Sequence, residues 1–303
     1  MIQYFDKLSL ETKGIIFMIL SQFFFASNDA FIKHVLAFYE NDTSYLGEIV
    51  FIRGLFVIFF IGLILFVKKK LDLKFLLTSK HLLVRGGMEG ICAIFFFLGL
   101  ATLPFGDLYV LLNLAPIIIT ASGAILLKEK VGWRRWSAVL MGFTGVLIVI
   151  NPAKLEFGFA FVFPLLAAAF ITLRDTYTKK FEQRYDSIQV AFVTGFMVTV
   201  VFGIYMLFHF KAVKFEDIFY IFISAILLSF GYIFAVATVK IATISSTSTF
   251  RYTVIIWGII YGYIFFHEIP TPNMLIGSSI VVFSGLFIIH RQKKLGLLDS
   301  KDS

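Results

Sequence analysis

Cysteine is nearly absent from this sequence. Its one copy, Cys92, sits inside an apolar run, which excludes an intrachain disulfide and a paired-cysteine metal site. A small buried hydrophobe is its expected role. Charge is scarce too: Asp, Glu, Lys and Arg make up 15% of the residues, against about 25% in a soluble domain. The five histidines are scattered without metal-ligand spacing, so no metal is expected. No nucleotide-binding motif occurs, no cofactor is implied, and no clustered nucleophile and base suggests catalytic residues. The segment 1–13 lacks the features of a cleaved signal, and the apolar stretch after it is expected to stay as a membrane anchor.

What fills the chain instead is apolar surface. Of 303 residues 59% are hydrophobic and 18% aromatic, and the mean hydropathy is +0.91. Runs of roughly 17–25 apolar residues read as membrane helices. Ten are expected, at 14–37, 46–67, 83–101, 106–127, 134–151, 158–178, 187–208, 217–239, 245–266 and 273–290. The net charge of +8 comes from short basic clusters between these runs, a topology signal rather than a sign of nucleic acid, so the lipid bilayer is the expected environment. With the N-terminus inside, the outer loops hold only Lys154, Lys211 and Lys214, while the other loop cations face inward. The expectation is a multi-pass protein of the inner (plasma) membrane with both ends cytoplasmic.

One motif is written twice. Tyr109-Val-Leu-Leu-Asn-Leu-Ala-Pro116 leads through an apolar run to Leu127-Lys-Glu-Lys130, then Gly142-Phe-Thr-Gly145. Ser248-Thr-Phe-Arg-Tyr252 leads likewise to Phe266-His-Glu268, then Val282-Phe-Ser-Gly285. Asn113 precedes Glu129 by 16 residues, and Tyr252 precedes Glu268 by 16. Five spans per copy is an odd number, so the second copy enters the membrane inverted. The expected fold is an all-α integral membrane protein of ten transmembrane helices in two inverted five-helix repeats. These would run 14–151 and 158–290, with a cytoplasmic segment 1–13, an outer linker 152–157 and a cytoplasmic tail 291–303.

These features carry a family resemblance. Leu103-Pro-Phe-Gly-Asp107 through Asn113-Leu-Ala-Pro116, Lys128-Glu-Lys-Val-Gly-Trp-Arg-Arg135, Gly142-Phe-Thr-Gly-Val-Leu-Ile148, His267-Glu268 and Ser284-Gly285 resemble the EamA branch of the drug/metabolite transporter superfamily. Arg53-Gly54 and Leu173-Arg-Asp-Thr-Tyr-Thr-Lys179 are similar to a bacterial subgroup with S-adenosylmethionine- and riboflavin-type carriers. The second copy departs from the first in placing Arg251 and Tyr252 where the first has Leu112 and Asn113. The resemblance implies secondary transport of a small metabolite, with spans five and ten peripheral. Homodimerisation through those two spans stays open.

Charges at membrane depth cost on the order of 2.5–3.5 kcal/mol each on insertion scales, so each needs a reason. Asp29 and Lys33 are four apart on span one, where they share a face and can neutralise each other, with the Asn28 amide beside them. Arg85 and Glu89 repeat that spacing on span three, and Gly86, Gly87 and Gly90 around Glu89 would admit a helix or ligand. Arg53 on span two needs a partner from another helix, with Asp29 and Glu89 as the options. Arg251, preceded by hydroxyl residues and followed by Tyr252, is the leading candidate for holding a substrate carboxylate. Tyr109 and Asn113 line the counterpart position. Arg174 and Asp175 read as an inner-edge ion pair. Glu129 and Glu268 read as turn elements that bond neighbouring backbone or Arg134 and Arg135.

The substrate-contact or coupling set is therefore Asn28, Asp29, Arg53, Glu89, Tyr109, Asn113, Arg251 and Tyr252. Mixed carboxylates and arginines suit a zwitterionic or amphoteric metabolite, amino-acid-like or S-adenosylmethionine-like, moved by alternating access. The rival readings are a drug or metabolite efflux permease, a small efflux subunit active only as an oligomer, and a membrane-embedded enzyme on lipid-linked substrates.

Overall fold

The computed structural model describes Leu8 and residues 10–114, 133–150, 158–178, 185–241 and 248–294. Glu129, Pro116, the loop cations Lys128, Lys130, Lys154, Lys179, Lys180 and Arg184, and Ser245 to Thr247 lie outside the described residues, as do the side chains of Arg134, Arg135 and Asp175. Among the described residues all regular structure is helical. Helices α1 (Leu10–Ala37), α2 (Leu46–Val67), α4 (Lys80–Thr102), α8 (Ser187–Phe208) and α9 (Asp217–Ile241) each contain a stretch long and apolar enough to cross a membrane. Helix α3 (Leu73–Thr78) is a short connector. The remaining helices are α5 (Phe105–Leu112), α6 (Trp133–Ile150), α7 (Val162–Thr178), α10 (Thr253–Phe266) and α11 (Pro272–Lys294). A helix satisfies its own backbone groups, so apolar runs of this length have no better conformation in lipid.

Local chemistry sets several of the ends. Helix α8 starts at a capping box in which the Asp186 carboxylate accepts from Ile188 N–H and the Gln189 side chain accepts from Asp186 N–H. Helix α2 stops where Lys69 turns left-handed (φ 54°) and Lys70 N–H closes onto the Leu65 carbonyl at 2.9 Å. Helix α10 stops in the same way at His267 (φ 54°).

The helix pairings have a symmetry. Helix α1 packs along α9, and α7 packs along α4; α1 also meets α10 as α7 meets α5; α2 meets α9 as α8 meets α4. Three further pairs, α2 with α8, α5 with α10 and α6 with α11, map onto themselves when the two halves of the chain are exchanged. Two copies of one unit related by a two-fold would give this pattern. At the α6–α11 contact, a Cβ added to Gly277 would lie 2.5 Å from the Gly145 carbonyl oxygen, and one added to Gly145 would lie 2.8 Å from the Gly277 carbonyl. The glycine faces of the two peripheral helices are therefore used inside one chain.

Loop contacts sort into two ends. At one end Lys211 pairs with Asp42 (2.6 Å), Val213 N–H donates to Glu48 (2.7 Å), and the Tyr39 hydroxyl donates to Asp217 while accepting from Lys214 N–H. Burial and the hydrogen bond to Asp217 push the Tyr39 hydroxyl above its ordinary range. At the other end Lys70 pairs with Asp186 (2.6 Å), and His81 meets the Tyr177 hydroxyl (2.9 Å).

Candidate functional site

The centre of the bundle holds a polar chain built by four helices. On α1, the Asn28 amide donates to the Asp29 carboxylate at 2.7 Å. The Tyr109 hydroxyl of α5 donates to the other Asp29 oxygen, also at 2.7 Å. The Asn28 carbonyl oxygen accepts from Ser224 of α9 at 2.6 Å and from the Arg53 guanidinium of α2 at 3.3 Å. Asn28 thus stands between the carboxylate and the guanidinium, and Arg53 has no ion-pair partner among the described residues.

Arg53 is the least satisfied member. It is 4% exposed, its guanidinium lies 4.8 Å from the Phe97 ring centre, and its Nε–H has no hydrogen-bond partner among the described residues. The Tyr252 hydroxyl and the Trp257 indole N–H are also buried without partners among those residues. A buried donor left unmade costs about 1–3 kcal/mol, so these three, with the Ser187 hydroxyl as a fourth among the described residues, call for an explanation.

Helix-to-helix chemistry departs from the spacing-based pairs. Asp29 is not joined to Lys33; the Lys33 ammonium instead pairs with Glu268 at 2.8 Å. Glu89 pairs with Arg174 of α7, an interhelical ion pair; the expected pairing of Arg174 with Asp175 falls on a side chain outside the described residues. Arg85 donates to the Thr194 hydroxyl of α8. The glycines beside Glu89 serve packing: a Cβ on Gly86 would lie 2.6 Å from Met197 and one on Gly90 2.6 Å from Val201, both on α8. Tyr232 of α9 lies within electrostatic reach of Arg53, Glu89, Arg174 and Arg85. Sequence reading missed Ser224 and Tyr232, since a Ser and a Tyr in an apolar helix carry no signal of their own.

The repeated position 16 residues before each Glu is where regular helix gives way in both halves. Helix α5 ends at Leu112, and the Asn113 side chain bends back to the Tyr109 carbonyl at 2.8 Å. In the second half Ser248–Tyr252 forms a tight 3-10 turn before α10 begins. Arg251 lies in that turn, half-buried, and is not among the partners of Asp29, Arg53 or Glu89.

Glu268 does more than close its own turn. Its second carboxylate oxygen accepts the Phe105 N–H of α5 at 2.7 Å, while Lys33 also donates to the Leu103 carbonyl at 2.9 Å. Ser27 and Tyr261 add a 2.6 Å hydroxyl contact between α1 and α10.

A multi-pass membrane bundle, helical throughout its described residues, with two matched halves and charges buried between its helices, is a transporter by class. The model of the EamA-like transporter family matches residues 12–151 and again 158–290, and the chain belongs to that family. An S-adenosylmethionine uptake transporter of Rickettsia prowazekii is 24% identical over 65% of this chain and 67% of its own length. A riboflavin transporter of Vibrio cholerae is 26% identical over 61% of this chain and 62% of its own. The chain thus spans about two thirds of these curated relatives. The pseudopaline exporter CntI of Pseudomonas aeruginosa (strain UCBPP-PA14) is 22% identical over 94% of this chain and 99% of its own length. A solved crystal structure of a protein superposes with a TM-score of 0.57 at 14% identity, covering 89% of this chain and 97% of that one, which shows a shared fold.

Proposed function

We propose that this transporter moves a small zwitterionic or amphoteric metabolite, amino-acid-like or S-adenosylmethionine-like, across the bacterial inner membrane by alternating access. The observation that carries this reading is the Arg53 guanidinium, buried at 4% exposure with one long bond and an unpaired Nε–H. A substrate carboxylate supplies the fork of acceptors that Arg53 lacks. Asp29, held by Tyr109 and Asn28, offers a fixed anion beside it for a substrate cation. The partnerless Tyr252 and Trp257 donors suit further acceptor atoms on the same molecule. Two repeats, 14–151 and 158–290, would exchange access to this centre, with both chain ends cytoplasmic. Arg251, in the turn that carries Tyr252, would line the same pathway. The names of the Rickettsia relatives, S-adenosylmethionine uptake transporters, fit a substrate that carries both a carboxylate and fixed positive charge.

The second reading is efflux of a metabolite by the same fold. What favours it is the exporter match, which runs over 94% of this chain and 99% of that protein.

A thermal-shift screen of the purified protein against zwitterionic, anionic and apolar metabolites tests the substrate class. Stabilisation follows RT ln(1 + [L]/Kd), about 2.7 kcal/mol at one hundred times Kd. Zwitterions should raise the melting temperature of the parent protein and leave Arg53→Gln unmoved. Equal shifts in both proteins, or shifts confined to apolar compounds, would reject the reading.

A further inference from the structure

Lys33 belongs to the first half of the chain and Glu268 to the second, and their 2.8 Å ion pair joins α1 to the turn after α10. The pair is one part of a larger knot. Glu268 also holds Phe105 N–H at 2.7 Å, Lys33 also donates to the Leu103 carbonyl at 2.9 Å, and the Phe105 and Phe266 rings lie 5.7 and 5.0 Å from the ammonium. The ends of α1, α4, α5 and α10 meet here. A carrier that opens to each face in turn must undo contacts of this kind at one end in every cycle.

Separating a half-buried pair strands a charge unless a second partner is at hand. Asp107 is such a partner. It is buried in the first turn of α5, within electrostatic reach of both Lys33 and Glu268, and has no ion pair or hydrogen bond through its side chain among the described residues. The amino end of α5 also favours a carboxylate there. Two carboxylates therefore compete for one ammonium, one from each half of the chain.

We propose that Lys33, Glu268 and Asp107 form an ion-pair gate at this end of the pathway. Lys33 sits on Glu268 while the end is closed, and moves to Asp107, within its own half, when the halves part and Glu268 turns to water. Lys33 and Glu268 are positioning residues in this account and need not touch the substrate. The gate rests on alternating access but not on the substrate class.

The test uses Ser27→Cys, six residues inward of Lys33, in a Cys92→Ala background, with a membrane-impermeant maleimide. The reagent is added from the membrane face at which a His267→Cys control reacts. Glu268→Gln and Lys33→Gln should each speed labelling of Ser27→Cys about tenfold, equivalent to roughly 1.4 kcal/mol. Glu268→Asp, which keeps the charge, should label near the parent rate. Adding Asp107→Asn to Glu268→Gln should slow labelling again, because the open arrangement loses its second partner; a merely structural pair would give faster labelling or none of this reversal. Melting temperatures of the same variants separate opening from unfolding. Labelling that ignores Lys33 and Glu268, or that rises equally in Glu268→Asp, overturns the gate. A metabolite screen without hits would sink the substrate reading and leave these rates untouched, whereas a Ser27→Cys that never reacts in any variant would sink the gate together with alternating access.

Discussion

The two charged regions that flank α1 are finished to different degrees. At Lys33 the ammonium has a carboxylate, a backbone carbonyl and two aromatic faces, and its partner Glu268 has a backbone N–H as well. At Arg53 the guanidinium has one 3.3 Å bond to a neutral amide and an idle Nε–H, although the Asp29 carboxylate is on the other side of that same amide. A completed ion pair closes space. An interrupted one keeps a charge ready for something that is not yet there.

The contrast can be broken by changing either region. The largest effect is expected for Arg53→Met, which should lower affinity for the bound zwitterion by roughly 2–5 kcal/mol, more than about 30-fold in a titration of the purified protein. An unchanged affinity would mean that Arg53 is structural. Next comes the second half-buried pair, Glu89 with Arg174. Glu89→Gln should destabilise the fold by roughly 1–3 kcal/mol, read in denaturation, because it removes the charged partner of Arg174 in this pair. Gly277→Leu should cost about 1–3 kcal/mol by forcing α6 from α11, read as a drop in melting temperature without loss of ligand affinity. Tyr261→Phe removes only the Ser27 contact and should cost on the order of 1 kcal/mol.

The smallest effect is at the surface. Lys211 and two hydrogen bonds from Ser44 hold the exposed Asp42 carboxyl at about 2, below its ordinary value. A depressed carboxylate favours the fold above its unfolded range near 3.8 and loses that contribution as the pH falls toward about 2. Melting temperature followed from pH 5 downward should therefore fall slightly less steeply in Asp42→Asn. A steeper fall would contradict the sign.

Much of the fold was legible because lipid permits so few solutions. Apolar runs of spanning length had to be helices, and the motif around Asn113 and Tyr252 had to mean two related halves. The central site was legible in part for the same reason: Asp29, Asn28 and Arg53 stand out as polar groups at depth. The demand that Arg53 find a partner on another helix points to the helix of Asp29, where the partner it meets is the adjacent Asn28. The pairings were not legible. Spacing of four placed Asp29 with Lys33, but an intrahelical pair contributes only about 0.2–0.5 kcal/mol, and a carboxylate arriving from another helix outweighs it. Glu268 and Arg174 read as surface elements because nothing in one dimension shows which helix ends converge. Arg251 ranked first on its neighbours in sequence, and the structure places it in the 3-10 turn Ser248–Tyr252, next to the buried Tyr252.

The glycine seam between α6 and α11 bears on how such a molecule moves. Where carbonyl meets glycine the two backbones touch, with Ile280 and Val149 wedged beside them, so that line of contact leaves little room to slip. A transport cycle would keep such a pair as a spine and place its motion in the other helices. Stiffness on one flank is what lets a small rotation on the other become a wide mouth.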